Sequence, residues 1–341
     1  MRYTTLGSTG TIVSTFALGT MTFGAEADEV TSHALLDTYV AAGGNLIDTA
    51  DVYSTGISEE FIGRWLAAHP TEREQMVIAT KGRFPMGSGP NDVGTSRRHL
   101  NRALDASLRR LGVDQIDLYQ LHAWDAVTPL EETLRFLDDA VRSGKIAYYG
   151  FSNFLGWQLT KAVHVARAHG FTPPVTLQPQ YSLLAREIES EIVPAALDAG
   201  LGLLPWSPLA GGWLTGKYRR DTDPVGATRL GEDPARGMEA WEPRNKQDRT
   251  WSIIDTVGQV AAERGLNHAQ VALAWLAARP AMTSVILGAR TTAQLTDNLG
   301  AAEIVLAAAE IARLDEVSNP VVGDYPYGPA GVDQRLRAID A

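Results

Sequence analysis

Hydrophobic positions along the chain follow two alternating periods. Short apolar runs typical of buried strands are separated by stretches in which apolar residues recur every three or four positions, as in amphipathic helices. The strand-like runs cover residues 15–18, 45–47, 76–80, 116–121, 146–151, 175–178, 201–205 and 284–287. The helical pattern covers 28–43, 57–68, 156–169, 187–199, 268–278 and 292–301, together with the leucine-spaced stretches 100–111 and 130–141.

Strands that alternate with helices are expected to pair in parallel, because each return crossover needs a connection long enough for a helix. Eight such units in a chain of 341 residues favour a closed barrel over an open sheet. We therefore predict an α/β fold, a (β/α)8 TIM barrel, with residues 1–341 forming one domain.

Two features lie outside this alternation. Residues 2–6 and 11–14 flank a turn-forming stretch and predict an N-terminal β-hairpin. Residues 217–249 and 320–341 combine proline, glycine and charge without a period, the latter before a short LRAID ending. We expect long irregular loops there, with the first on the C-terminal face of the barrel, where such loops are commonly functional.

Composition narrows the function classes. The net charge is −10, with 40 acidic and 30 basic residues and no basic cluster, which argues against a nucleic-acid partner. The absence of cysteine excludes thiolate nucleophiles, disulfides and iron–sulfur clusters, and the seven histidines are not spaced as metal ligands. No apolar run approaches the roughly 20 residues of a membrane span, and no signal peptide is evident, so we expect a cytoplasmic protein without a membrane partner.

Polar residues follow the predicted strands where each strand ends. Asp48 and Tyr53 follow the second strand, Lys81 ends the third and His122 follows the fourth. Because the C-terminal ends of barrel strands meet at one rim, these side chains are expected to converge there. A dinucleotide fingerprint of the Rossmann type is absent, since residues 200–205 carry Pro205 where the third glycine would stand.

Seven segments in order carry a resemblance to a known family. They are NLIDTADVYSTGISE, VIATK, DLYQLH, YYGFSNF, LQPQYSLL, WSPLAGGWLTGKY and ILGARTTAQLTDNL. In order and spacing this set resembles the aldo-keto reductase superfamily, from the first barrel strand to Asn298. Gly288-Ala289-Arg290 is similar to the bacterial branch whose phosphate site has the pattern GxR.

The resemblance implies a catalytic tetrad of Asp48, Tyr53, Lys81 and His122. Tyr53 would be the general acid in carbonyl reduction and the general base in alcohol oxidation. Lys81 would lower the pKa of the phenol, which is about 10 when unperturbed, and Asp48 would hold Lys81. His122 would orient the carbonyl oxygen by a hydrogen bond.

The resemblance also implies NADP(H) as the cofactor. Ser152, Asn153 and Gln178 would bind the nicotinamide carboxamide and Tyr181 would stack on its ring. The stretch 207–212 would wrap the pyrophosphate, and Arg290 would meet the 2′-phosphate beside a helix N-terminus. The full predicted cofactor set is Gly19, Thr20, Met21, Asp48, Ser152, Asn153, Gln178, Tyr181, Trp206, Ser207, Pro208, Leu209, Gly211, Lys217, Gly288, Arg290, Gln294, Asp297 and Asn298.

Aromatic and apolar residues after the first, third and fourth strands are candidates for a substrate pocket around Tyr53. They are Phe23, Phe84, Met86 and Trp124. Such walls would suit a bulky or hydrophobic carbonyl compound, with a small-molecule alcohol as its counterpart in the reverse direction.

Two other functions are compatible with a barrel of this kind. Lys81 could form a Schiff base as in class I aldolases, although that leaves Asp48, Tyr53 and Arg290 without a role. The superfamily also includes channel-associated β-subunits, so the chain could be an NADP-binding regulator with little turnover. Neither the reaction direction nor the oligomeric state follows from the sequence.

Overall fold

The computed structural model describes residues 1–226, 228–235 and 237–334. Its first element is the predicted antiparallel hairpin of β1 (Tyr3–Thr5) and β2 (Ile12–Ser14). Eight further strands follow: β3 (Phe16–Gly19), β4 (Leu46–Asp48), β5 (Val77–Gly82), β6 (Ile116–Leu121), β7 (Ile146–Ser152), β8 (Thr176–Gln178), β9 (Gly202–Leu203) and β10 (Val285–Leu287). All eight pair in parallel in the order β10-β3-β4-β5-β6-β7-β8-β9.

Backbone hydrogen bonds close the sheet between β9, with the residues that follow it, and β10, with the residues that lead into it. The Leu203 amide donates to the Ala281 carbonyl at 2.8 Å, and the Thr283 amide donates to the Leu203 carbonyl at 3.0 Å. One step further along, the Ile286 amide donates to the Pro205 carbonyl at 3.0 Å. The edges of β9 and β10 are therefore paired, which confirms the predicted (β/α)8 barrel.

Helices surround the barrel. They are α1 (Glu29–Ala41), α2 (Ile57–Ala68), α3 (Pro70–Arg73), α4 (Arg97–Leu111), α5 (Leu130–Arg142), α6 (Gly156–Ala168), α7 (Ile192–Ala199), α8 (Arg229–Glu232), α9 (Trp241–Asn245), α10 (Asp248–Arg264), α11 (His268–Ala277), α12 (Thr292–Leu299), α13 (Ala308–Val317) and α14 (Pro329–Asp333). The eight helices predicted from periodicity are present. The predicted helix 187–199 is broken into a 3-10 turn and α7, and the sequence did not predict α3, α8, α9, α10, α13 or α14.

Buried side chains form two separate cores. One fills the barrel interior with small and medium apolar residues such as Ala17, Leu118 and Leu204. Leu6 and Val13 of the hairpin belong to this interior cluster, so the hairpin plugs the N-terminal end of the barrel. The larger core lies between strands and helices. Because the bottom of the barrel is plugged, polar strand ends are accessible only from the opposite face.

The segment 217–249, predicted as an irregular loop, contains α8, a 3-10 turn at Gly237–Glu239, α9 and the start of α10. Trp241 of this segment stacks on Trp213 with ring centroids 4.7 Å apart, and Trp251 contacts both rings edge-on. This tryptophan cluster holds the segment against the C-terminal face of the barrel. The LRAID ending, residues 336–340, lies outside the described residues.

Across the part of the chain that the structure describes, no helix has the length and apolar character to cross a membrane. The same residues contain no group of three or more histidine, aspartate or glutamate side chains arranged to hold a metal ion.

Candidate active site

A cavity of about 890 Å³ opens at the C-terminal ends of the barrel strands. Its walls come from the ends of all eight barrel strands or the loops that follow them, from α12, and from the segment that contains α8. Different parts of the cavity are lined by different residues. One end is lined by Asp48, Tyr53 and His122, and another part is lined by Arg290 and Asn298. A volume of this size suits a drug-sized or dinucleotide-sized ligand.

A buried ion pair lies at the base of the cavity. Lys81, at the penultimate position of β5, is fully buried, and its Nζ donates to Asp48 Oδ2 at 2.6 Å and to the Thr49 carbonyl at 2.7 Å. The same Nζ lies 3.4 Å from the Tyr53 hydroxyl. Gln178 Nε2 donates to the other carboxylate oxygen of Asp48 at 2.8 Å. Lys81 is thus held by Asp48 with one donor directed at Tyr53.

Burial and charge act in opposite directions on Tyr53 and Lys81. Burial raises the pKa of the Tyr53 hydroxyl above its usual value, and the nearby Lys81 ammonium opposes that rise. For Lys81, burial lowers the pKa, but Asp48 and Tyr53 together raise it above the ordinary lysine value. The phenol is therefore protonated and the amine charged near neutrality. The expected lowering of the Tyr53 pKa by Lys81 is present but is outweighed by burial.

His122 stands beside Tyr53 and is neutral. Its backbone amide donates to the Gly82 carbonyl at 3.0 Å, which places it at the end of β6. Burial lowers the pKa of His122 to about 2, with further lowering by Lys81 and Arg83. Its ring meets the Tyr53 ring edge-on at 5.9 Å and packs against Phe84 at 4.5 Å. A neutral imidazole that is held in place in this way can donate one hydrogen bond to an oxygen beside Tyr53.

Amide and hydroxyl groups from the next two strands form the adjoining wall. Ser152 Oγ donates to the Gln178 carbonyl at 2.9 Å, and Asn153 Nδ2 donates to the His122 carbonyl at 3.0 Å. Trp206 Nε1 donates to Asn153 Oδ1 at 3.1 Å. Asn153 adopts a positive φ of 57°, an uncommon conformation that directs its amide back towards the strand ends.

The stretch after β9 has an unusual backbone. Ser207 and Ala210 have φ values of 54° and 49°, and Gly211 and Gly212 also have positive φ. Strained non-glycine residues of this kind persist where the surroundings determine them, commonly at functional sites. Lys217 lies close to this turn, and its Nζ would be 2.7 Å from a Cβ added at Gly212. Such a turn can present backbone amides and an ammonium to an anion.

Arg290 lies at the remaining part of the cavity, just before α12. The Thr291 hydroxyl caps α12 by accepting from the Gln294 amide, and Gln294 Oε1 accepts from the Arg290 amide at 3.0 Å. The Arg290 guanidinium is paired with Glu232 of α8 and with Glu26 of the β3–α1 loop. A helix N-terminus beside a guanidinium is an anion-binding arrangement.

A family model describes this arrangement as a whole. Residues 15–319 match the model of the Aldo/keto reductase family, from the first barrel strand to the end of α13. The chain belongs to the aldo/keto reductase family.

Relatives include oxidoreductases and channel subunits. The uncharacterized oxidoreductase YrpG of Bacillus subtilis is 40% identical over 96% of this chain and 98% of its own length. The versiconal hemiacetal acetate reductase of Aspergillus parasiticus is 34% identical over 94% of this chain and 98% of its own. A probable voltage-gated potassium channel subunit beta of Oryza sativa subsp. japonica is 37% identical, covering 89% and 92%. The family oxidoreductases thus match the chain almost end to end.

Most residues predicted from the sequence line this aldo/keto reductase cavity together. They include Tyr53, His122, Phe84 and every predicted cofactor residue except Tyr181. Lys81 lies directly beneath the lining as the partner of Asp48.

Tyr181 does not line the cavity. It was expected to stack on the nicotinamide ring, but its side chain is buried with its hydroxyl on Glu189 and its ring edge-on to Trp275. The aromatic ring that borders the cavity beside Asn153 is Trp206, whereas Tyr181 belongs to the outer core.

Three predicted pocket residues also lie off the cavity wall. Phe23 is fully buried in the outer core, so it is not a wall residue. Trp124 packs edge-on against Phe154 and Trp157, and Met86 lies further along its loop. The spacing of apolar residues after a strand therefore does not show which of them face the cavity.

Several lining residues were missed. Val52, Thr228, Arg229, Leu230, Met238, Glu239, Asn267 and Ile286 border the cavity. Most belong to segment 217–249 or to helix starts near it. No local motif marks these positions. The sequence feature that could have indicated their place in the cavity wall was the length of the irregular segment beside the barrel rim.

Proposed function

We propose that this chain is an NADP(H)-dependent oxidoreductase that interconverts aldehydes or ketones and alcohols, with Tyr53 as the general acid and base. The observation that supports it most is the contact of a fully buried Lys81 with both Asp48 and the Tyr53 hydroxyl at the base of a large cavity. Burying an ammonium is costly unless it is paired, so its position beneath a phenol points to a functional role.

The residues along the cavity fit a nicotinamide dinucleotide. Ser152, Asn153 and Gln178 would hold the carboxamide, which needs both donors and acceptors. Trp206, which borders the cavity, would stack on the nicotinamide ring in place of Tyr181. The Ser207–Gly212 turn and Lys217 would bind the pyrophosphate, and Arg290 would meet a 2′-phosphate at the N-terminus of α12.

The reduced nicotinamide, when bound, supplies the hydride that the carbonyl carbon accepts. The remaining chemistry falls to the chain. The Tyr53 hydroxyl gives its proton to the carbonyl oxygen, and the Lys81 ammonium stabilises the phenolate that is left. The neutral His122 donates a hydrogen bond to the same oxygen and so orients it. In the oxidation direction, Tyr53 takes the proton back.

The substrate that fits best is an apolar carbonyl compound. Phe84 and Val52 line the cavity beside Tyr53, and Met21 borders it from the first strand end. The relative from Aspergillus parasiticus is named as a reductase of versiconal hemiacetal acetate. We propose an aromatic or otherwise hydrophobic aldehyde or ketone as the substrate class.

The test is NADPH consumption with a reactive aromatic aldehyde, measured for the wild type and for Tyr53→Phe. We expect turnover in the wild type and a loss of about 100-fold or more in the variant, the range of general acid catalysis, with NADPH binding retained. Equal rates in both proteins would remove Tyr53 from the mechanism.

A second candidate is a regulatory subunit that binds the cofactor but turns it over slowly. The identity of 37% with a probable potassium channel subunit beta favours it. A protein that binds NADPH but oxidises none of it across a broad panel of carbonyl compounds would support this alternative.

A further inference from the structure

The guanidinium of Arg290 is already engaged by two carboxylates. Its Nη1 donates to Glu232 Oε1 at 3.0 Å and its Nη2 donates to Glu232 Oε2 at 2.7 Å, a bidentate pair. Nη2 also lies 3.4 Å from Glu26 Oε1. The two partners come from different parts of the chain, because Glu26 follows β3 and Glu232 ends α8.

The Arg290 guanidinium is shared between two carboxylates. One guanidinium faces two carboxylates, and their exposed fractions are 22% for the Arg290 side chain, 18% for Glu26 and 45% for Glu232. Lys217 and Arg229 also line the cavity and contribute positive charge. At Arg290 itself, however, the fork that would bind a phosphate is occupied by Glu232.

We propose that Glu232, assisted by Glu26, determines the coenzyme selectivity of this site by competing with the 2′-phosphate for Arg290. This inference rests on the proposed function. A 2′-phosphate must displace Glu232 from the bidentate position and approach two like charges. The 2′-hydroxyl of NADH is neutral and can donate to a carboxylate, as acidic residues do in NAD sites. The preference for NADPH is therefore smaller than Arg290 alone would produce.

The test is calorimetric titration of NADPH and of NADH into the full-length protein without substrate. Glu232→Gln keeps the shape of the side chain and removes its charge. We expect the Kd for NADPH to fall about three- to tenfold, a modest change because the pair is partly exposed. The Kd for NADH should stay the same or rise, so the ratio of the two constants changes in favour of NADPH.

Two comparisons separate competition from other effects. Glu242→Gln, an exposed carboxylate on α9 that pairs with Lys246, should leave both constants unchanged. In an Arg290→Ala background, Glu232→Gln should no longer improve NADPH binding, since there is no guanidinium to compete for. A gain that persists in that background would overturn the proposal.

The remaining outcomes are also decisive. An unchanged ratio in Glu232→Gln would overturn the inference. Weaker NADPH binding would overturn it as well and would show that Glu232 orients Arg290 for the phosphate. If the wild type binds neither coenzyme, the proposed function itself fails, and the inference fails with it.

Discussion

At the residue scale, the most informative side chains are buried charges. Lys81 is fully buried and is stabilised by Asp48 at 2.6 Å, with Gln178 on the other carboxylate oxygen. Removing one partner of such a pair typically costs about 3–5 kcal/mol, whereas replacing the whole pair by apolar residues is often neutral. Stability therefore does not explain the pair, whereas the role proposed for Tyr53 does, because Lys81 contacts the Tyr53 hydroxyl.

Asp51 is a second buried acid, and it has no role in the proposed chemistry. Its side chain is fully buried, and neither carboxylate oxygen has a hydrogen-bond partner among the described residues. Burial raises the pKa of Asp51 to about 7, with repulsion from Glu59 adding to the rise. Glu59 is itself held by Arg110 and by the Thr80 hydroxyl at 2.6 Å.

We predict that Asp51→Asn removes a pH dependence of folding. The folded protein binds the Asp51 proton more tightly than the unfolded chain does. The contribution of this proton to the free energy of unfolding is therefore fully present below about pH 4 and is lost as the pH rises to about 7. The variant should gain stability relative to the wild type over that interval, on the order of 1–3 kcal/mol. Urea unfolding at pH 4.5, 6 and 8 measures the difference.

The exposed Asp114, replaced by Asn, serves as the control for the Asp51 variant, and its effect should not change with pH in this way. A stability difference between Asp51→Asn and the wild type that is the same at all three pH values would show that Asp51 is ionised in the folded protein throughout.

At the element scale, the N-terminal hairpin acts as the floor of the barrel. Leu6 is fully buried in the interior cluster, although it lies outside the barrel strands. Gly7, with a positive φ of 56°, allows the hairpin turn to lie close to the backbone of Val175. A Cβ at this position would fall 2.1 Å from the Val175 carbonyl oxygen. The hairpin thus closes the face opposite the cavity.

We predict that Leu6→Ala destabilises the protein by about 2–4 kcal/mol through the cavity that it leaves in the barrel interior. Turnover at temperatures where the variant is folded should not change, because the site lies at the other end of the strands. Ile12→Ala, in the same hairpin but half-exposed at 51%, should cost much less. Equal losses in the two variants, measured by urea unfolding, would contradict the role of Leu6 as a plug.

Most elements could be predicted from the sequence, because their signals are local. Strand β6 has the predicted bounds Ile116–Leu121, and α2 has the predicted bounds Ile57–Ala68. Helix α10 was missed although Ile253, Val257 and Val260 recur on its buried face. It follows directly on the irregular segment, so no turn or cap signal separates its start from that segment.

At the scale of the whole molecule, the cavity lies between the barrel and the segment that contains α8 and α9. A ligand there contacts both parts and should stabilise the folded state in proportion to its binding free energy. We predict that NADPH at 100 times its Kd contributes about 2.7 kcal/mol and raises Tm by several degrees. Differential scanning fluorimetry with and without NADPH measures the shift.

The same measurement on Arg290→Ala should give a smaller shift with NADPH than the wild type gives at equal concentration. If the two shifts were equal, the 2′-phosphate would have to be bound elsewhere than at Arg290.

The sequence by itself determined the order of strands and helices and the residues at the strand ends. These follow from hydrophobic period and from the rule that parallel strand ends meet at one rim, so Asp48, Tyr53, Lys81 and His122 could be expected to converge. Only the tertiary structure decided which nearby side chains face the cavity, as Tyr181 and Phe23 show. It also decided that Arg290 meets Glu232 and Glu26, which lie 58 and 264 residues away. The physical reason is that periodicity specifies local backbone structure, whereas side-chain direction in loops and pairing between distant loops depend on how the whole chain packs.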